Sequence, residues 1–256
     1  MDLTLPASAA SAAAVAAGAA SAVADAASAV GALAQSVGQS VGLASGEVAT
    51  RALSAMDTPQ LLAVAAALGW ASGLRLYAVV FLTGLAGWIG WVQLPPGLVL
   101  LENPLVLGAA GLMLFIEFFA DKIPGLDSLW DAMHAVVRIP AGAALAAAVF
   151  GGDSATWAMV AALMGGTLAA TAQAAKSTTR AAINTSPEPF SNIGASLLGD
   201  FAVPGMLWLS WAHPMAFFIA LGITLIVTLV LLVVFWRFLR GFVARVRGLF
   251  GGGSAA

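Results

Sequence analysis

Two short stretches of an otherwise apolar chain hold most of the side chains that could do chemistry. In DKIPGLDSLWDAMHAVVRIP, residues 121–140, Asp127, Asp131, His134 and Arg138 fall at i, i+4, i+7 and i+11. With 3.6 residues per turn they share one helical face, and Leu129, Met133, Val136 and Val137 take the opposite one. Pro124-Gly125 breaks the chain after Asp121 and Lys122, so a helix is expected to start near Asp127, where a carboxylate suits the positive helix N-terminus. In QAAKSTTRAAINTSPEPFSN, residues 173–192, Gln173, Lys176, Arg180 and Asn184 again share a face. Pro187 and Pro189 are expected to end that helix and leave SPEPFSN extended.

Each stripe supports several chemistries. Two carboxylates and a histidine at helical spacing can relay protons or hold a divalent cation. Asp127, Asp131 and His134 could also form a catalytic metal site that polarises a phosphoryl oxygen. Lys176 and Arg180, with Ser177, Thr178 and Thr179 beside them, could hold a phosphate or carboxylate. The structural alternatives are internal pairing of Asp131 with Arg138 and His134, and a helix end charged at a membrane surface. Isolated charges complete the set. Arg75 follows Gly73 inside an apolar region, Glu117 precedes Asp121 by one helical turn, and Asp200 lies ahead of Pro204-Gly205. A lone arginine at membrane depth needs a partner, so Arg75 is expected to pair with Glu117, Asp121 or Asp200. The candidate substrate-binding residues are therefore Arg75, Lys122, Arg138, Lys176, Arg180 and Asn184. Those for ion or proton coupling are Glu117, Asp121, Asp127, Asp131, His134 and Asp200. No residue is assigned a catalytic role, and no cofactor is expected.

The elements that must position these residues follow from composition. The chain has 256 residues, 61% hydrophobic and 9% charged, where soluble domains are about 25% charged. A mean hydropathy of +0.98 excludes a soluble enzyme. A net charge of -2 with no concentrated basic patch excludes nucleic-acid binding. With no cysteine, disulfides and thiolate metal sites are ruled out. What remains is an all-α, polytopic membrane helical bundle.

Three regions are expected: an Ala-rich arm over 1–57, a transmembrane domain over 58–240, and a basic amphipathic tail with a flexible end over 241–256. The arm is rich in Ala and Ser, which drive insertion weakly, and has no Lys or Arg before Arg51. Within the body, the uncharged runs 58–74, 103–116 and 139–152 fall short of the roughly 20 apolar residues that a span needs, so broken or re-entrant helices are expected among five or six spans. The clearest span, about 215–236, is followed at once by Arg237, Arg240, Arg245 and Arg247, which predicts a cytoplasmic C-terminus. Trp88, Trp91, Trp157, Trp208 and Trp211 fall near span ends as an interfacial belt, and Gly69-x-x-x-Gly73 marks close helix packing. EFFADKIPGLDSLW (117–130) and DFAVPGMLW (200–208) share an acid, Phe-Ala, Pro-Gly and a final Trp, the pattern of an inverted repeat with a broken helix in each half.

ASGLRLY, DKIPGLDSLWDAMHAVVRIPAG and KSTTRAAINTSPEPFSN together resemble a bacterial membrane family known as domain of unknown function 4126, over roughly 58–238. Arg138 is followed here by Ile139-Pro140, where the resemblance leads one to expect Arg-Pro. The resemblance implies an integral protein of the bacterial inner membrane and implies that Asp121, Lys122, Asp127, Asp131, His134, Arg138, Lys176 and Arg180 form its characteristic polar set. It implies no activity. Three functions are weighed, in order. The first is a small transporter or lipid-flipping protein that moves an anionic solute or lipid, with a coupled proton. The second is a non-catalytic scaffold or accessory subunit, and the third is a metal-dependent lipid-phosphate enzyme. The expected partners are membrane lipids and a small anionic solute or lipid head group. A homo-oligomer or a protein partner stays open.

Overall fold

The computed structural model describes residues 57–123, 125–151, 155–183 and 189–250. Helices and short links account for all of them, with no strand among the described residues, so the expected all-α bundle is what forms. We label the helices α1 (Thr58–Trp88), α2 (Pro104–Ala120), α3 (Leu126–Ala148), α4 (Ala155–Ile183), α5 (Pro189–Ala212) and α6 (Pro214–Phe250); a 3-10 helix, Pro96–Glu102, precedes α2. Four helices are long and apolar enough to cross a membrane: α1, α4, Phe190–Ala212 of α5 and Pro214–Arg237 of α6. The 3-10 helix and α2, bent 70° to one another, make a fifth if taken as one span.

Helix α1 is not a straight rod. Arg75 leaves the helical region, at φ -147° and ψ 83°. The causes lie just before it: the Ser72 hydroxyl donates back to the Leu68 carbonyl, which weakens the helical ladder, and Gly73 adds no side chain to stiffen it. The two arms, 58–74 and 76–88, then double back on each other. Arg75 reaches Ser196 in the first half of α5, while Gln60 at the start of α1 donates to the Trp211 carbonyl near the end of α5. Ala86 and Ile89, from the far end of α1, line the same cavity as Gln60 and Trp211. At 1.5 Å per residue the longer arm extends about 25 Å, less than the ~30 Å hydrocarbon thickness.

Small residues let the first arm sit at the centre. Gly69 packs on Gly165 of α4 so closely that a methyl group there would lie 2.4 Å from the Gly165 Cα; at Gly73 it would lie 2.2 Å from the Ala169 carbonyl oxygen. Gly142 of α3 closes the same triple contact against Ala169 and Gly69. Ala63 through Leu68 are buried without a break. The apolar surface faces outward on the surrounding helices, as a bilayer requires: Leu163, Phe115, Ile219 and Leu229 are all exposed. Trp88, Trp91, Trp157 and Trp208 are exposed at one end of the bundle, the end at which α1 begins and finishes.

Several expectations need correction. SPEPFSN is not extended throughout: Pro189 begins α5, and Phe190, Ser191 and Asn192 belong to its first turn, where proline lacks no needed donor. The tail expected from residue 241 is no separate element as far as Phe250, because the backbone of α6 runs unbroken to there. Segments 117–130 and 200–208 do not share a conformation. The first breaks between α2 and α3, with Gly125 at φ +88°, whereas Pro204-Gly205 lies inside the continuous α5. The arm before residue 57, Asn184 and the tail beyond Phe250 lie outside the described residues.

The α1–α4 contact predicts that Gly69→Ala and Gly73→Ala each cost about 1–3 kcal/mol through overpacking. Gly108→Ala, where a methyl group would meet nothing within 4 Å, is expected to be neutral. Thermal unfolding of the three variants in one detergent checks this.

Candidate functional site

Both polar stripes turn inward and meet. Asp127, Asp131 and Arg138 of α3 are buried, while Leu129, Met133, Val136 and Val137 on the opposite face are exposed. The helix thus reverses the usual amphipathic order: its polar face is the one packed in protein. On α4, Gln173 and Arg180 are buried, and Lys176 is nearly so. Arg180 Nη1 donates to Asp127 Oδ2 at 2.9 Å, Lys176 Nζ lies 2.8 Å from Asp131 Oδ1, and Arg138 Nη1 donates to Gln173 Oε1 at 2.9 Å.

Around these contacts every Lys and Arg between residues 58 and 236 joins one network. Asp121, at the end of α2, is the hub: its Oδ2 lies 3.0 Å from Arg75, 3.1 Å from Lys176 and 3.8 Å from Arg180. Arg75 also binds Asp200 at 2.9 Å, and Lys122 reaches Asp200 at 3.2 Å. Deepest is Arg138, fully buried, held by Glu117 at 2.5 Å and Asp131 at 2.8 Å. Arg75, Lys122, Arg138, Lys176 and Arg180 therefore face Glu117, Asp121, Asp127, Asp131 and Asp200. Among the described residues five cations meet five carboxylates, and these ten groups carry no net formal charge.

The cluster also repairs the backbone it interrupts. The break at Arg75 frees the Leu74 carbonyl, which accepts from Lys176 Nζ at 3.2 Å. At the end of α2, the Asp121 carbonyl accepts from Arg180 and the Phe118 carbonyl from Lys122, so cations cap a helix C-terminus. At the start of α3, Asp127 Oδ1 accepts from the Gly125 and Ser128 amides, as a carboxylate in a first turn should.

The geometry sorts the predicted residues. Arg75 pairs with Asp121 and Asp200, whereas Glu117 goes to Arg138. Asp131 does bind Arg138, but His134 stays outside the network. Its Nδ1 donates to the Trp130 carbonyl at 2.9 Å, since a carbonyl can only accept, and its ring stacks on Trp130 and meets Tyr77 edge-on. Asp127, Asp131 and His134 therefore do not converge as three metal ligands, and among the described residues no group of three His, Asp or Glu side chains is arranged to hold a metal ion. Ser177 accepts from Gln173. Two contributors were not anticipated: Asn192, which accepts from Arg180, and Ser196, whose hydroxyl and carbonyl accept from Arg75. With Asp200 they form an i, i+4, i+8 face, the same helical spacing that marks the other two stripes in the sequence.

Pairing is not complete at every atom. Arg75 Nη1, Arg138 Nε, Glu117 Oε2 and Asp131 Oδ2 are buried without a hydrogen-bond partner. The network reaches the surface at one rim, where the Lys122 and Asp200 side chains are 21% and 17% exposed, against 3% and 1% for Arg75 and Asp121.

A family model described as domain of unknown function (DUF4126) matches residues 62–237. No curated protein and no solved structure matches the chain.

Breaking a buried pair on one side strands a charge at a cost of about 3–5 kcal/mol, while replacing both partners by apolar groups is close to neutral. Glu117→Leu and Arg138→Met are therefore each expected to destabilise strongly, and the double variant to recover most of the loss, as an unfolding titration of the three would read.

Proposed function

We propose that this chain, which belongs to the family described as domain of unknown function (DUF4126), is a membrane transporter that moves a small anion or an anionic lipid head group together with a proton. The observation that carries this reading is the balanced cluster of five cations and five carboxylates around the break in α1. Buried ion pairs are a poor way to stabilise a fold, since desolvation offsets most of their attraction. Ten charged groups, seven of them buried, gathered from the α1 break, the α2 end and its link, α3, α4 and α5, are better explained by use.

The mechanism follows from charge conservation. A single anion entering a neutral cluster would leave an uncompensated charge in a low-dielectric interior. An anion entering with one proton would not. Protonation of Asp131, whose Oδ2 has no partner, neutralises a carboxylate held by Lys176 and Arg138. Lys176 can then turn from Asp131 to the incoming anion, with Arg75 and Arg180 beside it at Asp121. The Lys122–Asp200 pair at the rim is the natural entrance. In this reading α1 is a re-entrant hairpin whose tip presents Arg75 to the site, the protein spans a bacterial inner membrane, and Arg237 marks the cytoplasmic side.

A second reading, a membrane scaffold without transport, is favoured by one observation: every cation of the cluster already holds a carboxylate. The two readings separate in proteoliposomes of phosphatidylcholine and phosphatidylglycerol that contain the full chain. Inorganic phosphate and a head-group-labelled phosphatidylglycerol serve as probes, with and without an inward proton gradient. At least one probe is expected to move faster with the gradient. Asp131→Asn, which mimics the protonated acid, should abolish the dependence on the gradient. Arg180→Gln should slow movement by about tenfold or more, the scale of one charged hydrogen bond. If folded protein moves neither probe under either condition, transport is wrong. Silent Asp131 and Arg180 variants with a stable co-purifying protein would establish the scaffold instead.

A further inference from the structure

The end of the bundle away from the ionic cluster contains a cavity of about 640 Å³, within the ~300–1,000 Å³ range of small-molecule sites. It lies between the second arm of α1, the link that follows it and the last turns of α5, and Ala86, Ile89, Pro204, Leu207 and Trp208 supply apolar walls. Among the described residues no charged side chain lines it. Two lining residues nevertheless carry buried polar atoms with no partner: the Thr83 hydroxyl, on a residue only 1% exposed, and the Trp211 indole Nε1. An indole N–H can only donate, and a threonine hydroxyl can donate as well. An unmet buried donor costs free energy, so this pair calls for an acceptor.

We propose that this cavity binds one acyl chain of an ester-linked membrane lipid, with the ester carbonyl accepting from Trp211 and Thr83. The wall chemistry suits a hydrocarbon tail, and the described lining offers an ionised group no counter-charge. The depth also fits. Trp88, Trp91 and Trp208 are exposed around this end, and exposed tryptophans mark the level where bilayer head groups and esters meet the hydrocarbon. The site is independent of the ionic cluster and does not rest on the transport reading.

The test uses the full chain in phosphatidylcholine nanodiscs with a phosphatidylcholine that carries a photoactivatable diazirine near one ester. Crosslinks are mapped by peptide mass spectrometry. Labelling is expected to concentrate on peptides covering 82–93 and 204–212. A diether phosphatidylcholine, which lacks the carbonyl acceptor, should compete about tenfold less well than the diester, the loss expected when polar partners are left unpaired. Thr83→Val and Trp211→Phe each remove one donor with little change in shape, and should lower labelling at these peptides and narrow the ester–ether difference. Leu207→Trp, which fills the cavity, should remove the labelling. Labelling spread evenly over the exposed faces of α4 and α6 would overturn the proposal, as would equal competition by the ether lipid. If one donor variant does not fold, the other and the ether competition still decide the matter.

Discussion

Asp121 holds the molecule in its observed arrangement. Its carboxylate lies within reach of Arg75, Lys176 and Arg180, and its own carbonyl accepts from Arg180. Those cations belong to the tip of a folded helix and to one face of α4, so a single acid ties the break in α1 to the end of α2 and to the helix beside it. In a bilayer no solvent is at hand to satisfy the backbone of an interrupted helix. Side chains must do so, and Lys176 does when it donates to the Leu74 carbonyl. The break and the charges thus require each other. Without the cations the interrupted backbone would lack partners, and without the break Arg75 could not reach Asp200.

The rest of the bundle is arranged to bring these groups together. The first arm of α1 has no room for side chains where it meets α3 and α4, so Gly69, Gly73, Gly142 and Gly165 draw the backbones together. That close approach sets the depth of Arg75 and the separation of the two stripes. Polarity then follows position. α3 keeps Asp127, Asp131 and Arg138 inside and Leu129 and Met133 outside, because outside is the less polar medium.

Much of this was legible in the chain itself. Helical phase alone grouped Asp127 with Asp131 and Arg138, and Gln173 with Lys176 and Arg180, because a buried stripe in a lipid-exposed helix leaves a periodic trace. The break at Arg75 was legible too, since Gly73 and Arg75 interrupt an overlong apolar run. Phase could not say which acid each cation would choose. Arg75 takes Asp121 and Asp200 through tertiary geometry, and Glu117 goes to Arg138 for the same reason. His134 misled because its spacing matched the stripe while its ring found a better partner in Trp130, one turn back on its own helix. Pro204 misled in the opposite way: the dipeptide that breaks the chain at Gly125 is absorbed within α5, where no positive φ is needed. The cavity near Trp211 left no trace in the sequence, because Thr83, Pro204 and Trp211 meet only through the fold.

The doubling back of α1 separates length from reach. Its 31 residues are long and apolar enough to be a candidate crossing, yet Gln60 and Ala86, from its two ends, line one cavity. Labels placed at the two ends of this helix would therefore sit close together, where a straight helix of that length would hold them about 45 Å apart.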